Sequence, residues 1–227
     1  MYIFITAAAS FTLTFLLIPK FIPFLRKIKF GQAIRTEGPE SHLKKQGTPV
    51  MGGIIFILVP LFVFAIMGNM FFDDWRIQTI LISYVGFGLI GFIDDYLVVI
   101  KKSNNGLSAK CKFLLQSFLA IILITIAWQH LEPLVTIPFT SYEVNIGFLY
   151  PIICFVMFTA TSNGVNLSDG LDGLCAGLCI IAFVGFTIIC YRIGYYQVAL
   201  FLVAVIFSLL AYLWYNKAPA RIFMGDV

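Results

Sequence analysis

Charged side chains are scarce in this sequence, at 11% of its 227 residues against roughly 25% in an average soluble domain. So small a supply cannot coat a globular surface, which excludes an ordinary soluble fold. Histidine is scarcer still. With only His42 and His130 present, a histidine-based metal site has too few ligands close together in sequence, and none is proposed for the Cys175/Cys179 pair. The five cysteines, Cys111, Cys154, Cys175, Cys179 and Cys190, are odd in number and four lie in or at the ends of apolar runs, so they read as packing residues and not as a disulfide framework. The first apolar run, Ile3 to Leu25, has neither a basic stretch before it nor a marked small-residue cleavage site, and is expected to be a retained span.

What the sequence has in abundance is apolar surface: 60% hydrophobic residues and a mean hydropathy of +0.97. Several runs approach or exceed the roughly 20 residues needed to cross about 30 Å of hydrocarbon. Continuous stretches such as Met51 to Met70 and Ile77 to Ile100 also exclude a β-barrel, whose strands alternate over segments of about 10 residues. The expected fold class is all-α: a polytopic transmembrane helical bundle forming a single integral membrane domain. Hydropathy places seven spans, at 3–25, 50–70, 77–97, 113–130, 147–162, 174–191 and 198–214.

The positive charges choose an orientation. Connections after the first, third and seventh spans hold Arg26, Lys27, Lys29, Arg35, Lys44, Lys45, Lys101, Lys102, Lys110, Lys112, Lys217 and Arg221, whereas the other side holds Arg76 and Arg192. Basic connections stay in the cytoplasm, which predicts an outer N-terminus and a cytoplasmic C-terminus. The acidic residues were not used in that assignment, yet Asp94, Asp95, Asp169, Asp172 and Asp226 all fall at the cytoplasmic edge. Three connections thus carry carboxylates to one side, where a bundle can gather them round a cleft. Asp73, Asp74, Glu132 and Glu143 lie in outer loops and receive no function.

Each motif has a chemical reading. In GFIDDY the Asp94/Asp95 pair stands where hydrocarbon gives way to water, and charge there is expensive unless used or paired. Neighbours on a helix point about 100° apart, so the two carboxylates suit separate tasks, one as base and one as ion ligand. The segment TSNGVNLSDGLDGL ends the fifth span with Asn163, Asn166, Asp169 and Asp172 among glycines, and is expected to be non-helical backbone forming a site wall. In GLSAKCK, Lys110 and Lys112 can offer positive charge to a diphosphate or simply mark the cytoplasmic side. RIFMGDV places Asp226 after a glycine. Carboxylates converging without histidine favour a hard ion such as magnesium, shared with phosphate oxygens, and so point to phosphoryl transfer. The first inner loop, RTEGPESHLKKQGTPVMGG, holds His42, Lys44 and Lys45, and its glycine and proline density predicts a defined shape around Gly52 and Gly53.

Taken in order, GPESHLKKQGTPVMGG, GFIDDY, GLSAKCK, NGVNLSDGLDGL and FMGD resemble the polyprenyl-phosphate N-acetylhexosamine-1-phosphate transferases, from about Arg35 onward. The first of these is similar to the muramoyl-pentapeptide branch. The resemblance implies transfer of phospho-MurNAc-pentapeptide from UDP-MurNAc-pentapeptide to undecaprenyl phosphate, giving lipid I and UMP, with Mg2+ as cofactor. It implies Asp94 as the base for the lipid phosphate, Asp95 as its neighbour, Asp226 as the metal ligand and Lys110 as a site lysine. Asn163, Asn166, Asp169 and Asp172 fall in the nucleotide and active-site loop, and His42 and Lys112 are assigned to substrate binding. The partners implied are the two substrates and the lipid bilayer of the bacterial inner membrane, with a homodimer left open and no nucleic acid.

Two departures stand out. Val98 occupies a position where the family often has a basic residue, which Lys101 or Lys102 would have to replace. The family pattern also continues past FMGD with further spans and a histidine-rich cytoplasmic loop, so the chain is expected to be incomplete at its C-terminus and not fully active alone. Three other readings compete: a transferase for UDP-GlcNAc or a related sugar, a transporter or channel, and an inactive remnant. The one-sided clustering of acids disfavours translocation, which needs ionisable groups near the midplane.

Overall fold

The structure, a computed structural model, describes residues 1–28, 47–67, 74–101 and 106–226. His42, Lys44, Lys45, Asp73 and Lys102 lie outside the described residues. Among these there are seven helices: α1 (Tyr2–Lys27), α2 (Gly53–Met67), α3 (Trp75–Lys101), α4 (Ala109–Trp128), α5 (Leu149–Ser168), α6 (Leu174–Arg192) and α7 (Tyr196–Asn216). A hairpin of two short strands, β1 (Leu134–Thr136) and β2 (Glu143–Asn145), joins α4 to α5. Each helix stands where an apolar run predicted one. Five of them, α1, α3, α4, α6 and α7, are long and apolar enough to cross a membrane.

Helix α7 forms the centre because it is apolar all round, the mark of a helix enclosed by others. Helices α1, α2 and α6 pack on it, α3 reaches it more lightly, and α4 and α5 extend outward from α3. On α1, Thr6, Ser10 and Thr14 recur every fourth residue, share one face and are buried. Small hydroxylated residues of this kind let helix backbones approach in lipid. The Thr14 and Ser208 hydroxyls meet at 2.6 Å across the α1–α7 interface, and the Tyr215 hydroxyl donates to the Phe15 carbonyl at 3.0 Å. Such bonds contribute about 0.6 kcal/mol each in a bilayer, so their main effect is to set register. On the outside, Leu58, Phe62, Phe118, Ile181 and Phe186 are exposed, as expected of a lipid-facing surface.

Two expectations need correction. The second span, read as 50–70, becomes helical only at Gly53, because the residues before it pair with the distant C-terminal segment. The Phe223 N–H donates to Pro49 at 2.8 Å, and the N–H groups of Gly52 and Gly53 donate to Phe223 and Met224 at 2.9 and 3.0 Å. This fixes the backbone at the two glycines, while residues 29–46 of the same inner loop lie outside the described residues. A Cβ at Gly52 would stand 2.8 Å from the Phe223 carbonyl. The fifth span, read as ending at 162, continues as helix to Ser168, so Asn163 and Asn166 are helical residues and the non-helical stretch shrinks to the turn before Leu174.

Candidate active site

Helix α3 carries the Asp94/Asp95 pair well before its last residue, Lys101, so the carboxylates project from a helix side and not from its end. Asp94 is held by the start of α4: its Oδ1 accepts the Leu107 N–H at 2.6 Å. That approach requires glycine at 106, where a Cβ would lie 2.6 Å from the same oxygen. Ser108 caps α4 by accepting the Cys111 N–H at 3.2 Å, as extended hydroxylated residues do at helix starts. One turn further, Lys112 faces inward. Its ammonium lies 3.6 Å from the Asp94 carboxylate and pairs with Asp226.

The C-terminal segment closes the cluster. After α7 the chain turns back, and Asn216, almost fully buried, fixes the return: its Nδ2 donates to the Ile222 carbonyl at 2.9 Å and its Oδ1 accepts the Gly173 N–H at 2.9 Å. Gly225 has φ +81, a conformation costly for side chains with a Cβ, and a Cβ there would run into the Asp95 carboxylate and Val50. Asp95, only 9% exposed, accepts the Asp226 N–H at 2.9 Å, and Asp169 accepts the Gly225 N–H. Asn166 hydrogen-bonds the Asp226 carboxylate.

Charge in this cluster is unbalanced. Asp94, Asp95, Asp169 and Asp226 stand against one ammonium, and the Asp94 and Asp226 side chains are themselves in hydrogen-bonding contact. Two adjacent carboxyls resist joint ionisation unless a proton or cation lies between them. Burial pushes the Asp169 carboxyl up to about 7, the nearby Asp226 and Asp172 charges add to this, and the Gly225 N–H opposes it. Burial also pushes Asp226 upward, but its bonds with Asp94, Lys112 and Asn166 outweigh that and hold it below the ordinary value. Among the described residues no three His, Cys, Asp or Glu side chains are arranged round one common point. Magnesium needs only one or two carboxylates besides water and phosphate oxygens, so this all-oxygen, over-charged donor set fits it.

The remaining predicted residues fall in different places. Asp172 accepts the Ala220 N–H at 3.1 Å and thereby ties the α5–α6 turn to the C-terminal segment. Lys110 is exposed and makes no ion pair among the described residues, so the inner lysine is Lys112. Asn163, one turn before Asn166, donates to Gln116 Oε1 at 2.9 Å and to the Thr159 carbonyl at 2.8 Å. Gln116 also donates to Ser162 at 3.2 Å. Sequence reading passed over Gln116 and Asn216. A signal for Gln116 existed, since Gln116, Ala120 and Leu123 are the buried residues of α4 and Lys112 continues that face one turn earlier. Cys175 is buried, with its Sγ 3.5 Å from the Val165 carbonyl and 4.0 Å from Met224 Sδ.

Residues 77–227 match the model of glycosyl transferase family 4, a stretch that contains all four carboxylates and Lys112. The chain belongs to glycosyl transferase family 4. Its relatives in the family include the phospho-N-acetylmuramoyl-pentapeptide-transferases of Staphylococcus epidermidis and Staphylococcus aureus, each 43% identical over 99% of this chain. That of Staphylococcus carnosus is 42% identical over the same share. The match covers 71% of each relative's length. The family model begins near the start of α3, while the similarity to these relatives also takes in α1, α2 and the Pro49–Gly53 segment that cradles the C-terminal turn.

Proposed function

We propose that the chain transfers phospho-MurNAc-pentapeptide from UDP-MurNAc-pentapeptide to undecaprenyl phosphate, forming lipid I and UMP for peptidoglycan synthesis. The observation that carries a phosphoryl-transfer reading is the convergence of Asp94, Asp226 and Lys112 from α3, the C-terminal turn and α4. The relatives' names and the GPESHLKKQGTPVMGG stretch favour the muramoyl substrate over UDP-GlcNAc.

In this reading the chain's residues divide the work. Asp94 takes the proton from the lipid phosphate. The freed oxygen forms a bond to the sugar-linked phosphorus as the bond from that phosphorus to the bridging oxygen breaks, and UMP leaves with the bridging oxygen. Magnesium, held by Asp226 together with phosphate oxygens, would neutralise charge developing on the diphosphate. Lys112 exchanges its carboxylate partners for the incoming phosphate, which releases Asp94 to act as base. Asp95 and Asp169 hold successive N–H groups of the Gly225–Asp226 turn, and so set where the Asp226 carboxylate points. Asn166 orients that carboxylate from α5. The excess of basic residues in the connections supports a cluster facing the cytoplasm in the bacterial inner membrane, where the soluble UDP substrate is available.

The test is magnesium-dependent UMP release in reconstituted membranes, for this chain and for a version extended with the remaining residues of a relative. Release from UDP-MurNAc-pentapeptide, with little from UDP-GlcNAc, is expected. Folded, inserted protein that releases UMP only from UDP-GlcNAc sinks the muramoyl assignment. Cross-linking in the same membranes reads the oligomeric state, with a homodimer as one outcome.

A further inference from the structure

The hairpin between α4 and α5 lies at the end of those helices away from the carboxylate cluster, since Lys112 and Asn166 sit at their other ends. Its register pairs Leu134 with Asn145, Val135 with Val144 and Thr136 with Glu143. The ladder continues at both ends: the Ile137 N–H donates to Tyr142 and the Ile146 N–H to Pro133, each at 2.9 Å. Because paired residues share a face and successive residues change face, the two faces differ sharply. One holds Pro133, Val135, Ile137, Tyr142, Val144 and Ile146. The other holds Leu134, Thr136, Glu143 and Asn145.

An isolated two-stranded hairpin is marginal in water, and one with a wholly apolar face must cover it. Yet both strands are exposed throughout. At the tip, Phe139 is fully exposed, at 108%, and has φ +66, an uncommon conformation for a bulky residue. The tip thus holds a large aromatic ring outward in a conformation that glycine would adopt more easily.

The surroundings indicate what covers this face. Trp128 and Phe148, at the hairpin's two roots, are exposed aromatics. His130 stacks on Trp75 at 4.9 Å, and Arg76 lies over the rings of Trp75 and Tyr195 at 4.9 and 4.3 Å. These contacts put the hairpin root level with the starts of α3 and α7. Aromatic rings gathered at one level of a helical membrane protein mark the boundary between hydrocarbon and headgroups.

We propose that the hairpin is an interfacial anchor, lying with its apolar face and Phe139 in the lipid headgroup layer and its Thr136/Glu143 face toward water. The partner is the lipid surface itself, bound as amphipathic surface segments bind, by buried apolar area. This does not depend on the proposed reaction.

The test uses Phe139→Trp in this chain, reconstituted in phosphatidylcholine nanodiscs, with emission read in excess of the unsubstituted chain. Excess emission should be quenched by lipids brominated high on the acyl chain and shielded from acrylamide. Adding Val144→Asp should abolish the lipid quenching and open the site to acrylamide, while Thr136→Asp should change neither. Emission quenched by acrylamide and indifferent to brominated lipid overturns the proposal. Shielded emission that ignores brominated lipid, and becomes acrylamide-sensitive at one copy per nanodisc, also overturns it and assigns the face to a second copy. If Val144→Asp fails to fold, the Phe139→Trp readings decide alone.

Discussion

The backbone N–H of Asp226 donates to the Asp95 carboxylate at 2.9 Å, joining residues 131 positions apart. Asp95 is therefore bonded to the backbone that carries Asp226, while Asp94 meets the Asp226 side chain. The adjacent acids have separate partners, as their angular separation on a helix requires. Asp95→Ala should misplace Asp226 and lower kcat, whereas Asp95→Asn, whose carbonyl can still accept that N–H, should retain more activity. Equal losses in the two variants would show that Asp95 needs its charge and not its acceptor.

Asp226→Asn should reduce magnesium-dependent turnover by about a hundredfold to a thousandfold, the scale for losing one electrostatic group at a reacting centre. The check is kcat across a magnesium titration. Full turnover at ordinary magnesium would remove Asp226 from the proposed metal role.

The two lysines separate cleanly. Lys112→Met should abolish turnover because the incoming phosphate then meets the Asp94 and Asp226 carboxylates without the ammonium that pairs with both. Lys110→Met, at an exposed position, should keep most of it. Parallel UMP-release assays decide between the two, and the reverse ranking would contradict the geometry.

Gly225→Ala combines a positive φ of +81 with a Cβ that meets the Asp95 carboxylate. Backbone strain of this kind costs about 1–3 kcal/mol, and the clash adds displacement of Asp226. Thermal unfolding in detergent should show a lower Tm, and kcat should fall further than stability alone explains. An unchanged Tm and kcat would mean that the turn has another conformation available.

Asp169 gives a pH dependence whose sign can be worked out. Its folded pKa of about 7 exceeds the unfolded value of about 3.9, so between these values the folded chain binds more protons than the unfolded chain. Stability therefore falls as pH rises from about 4 to 7 and levels off above. In magnesium-free detergent solution, Asp169→Asn should flatten that decline in Tm. A decline as steep as that of the unsubstituted chain would assign the pH dependence elsewhere.

Hydropathy alone was sufficient to locate the helices, because the need to satisfy every backbone group in lipid leaves helix as the default. Local composition misled at Asn163 and Asn166, where polar residues and glycine suggested loop. There Asn163 is held by Gln116 from α4 and by the Thr159 carbonyl, and helical backbone bonds continue beneath them to Ser168. Motif position favours Lys110, whereas helical periodicity sets the two lysines about 200° apart and it is Lys112 that meets the carboxylates.

The sequence by itself determined the helical membrane architecture, the positions of the apolar runs and the set of acids available to a site, since these follow from composition and short-range periodicity. Only the tertiary structure decided which acids and which lysine meet, that Asp172 binds backbone across from the cluster, and that Pro49–Gly53 pairs with Phe223–Met224. Those partners are far apart along the chain, and what brings them together is the packing of helices round α7, a property of all the contacts at once that no local pattern encodes.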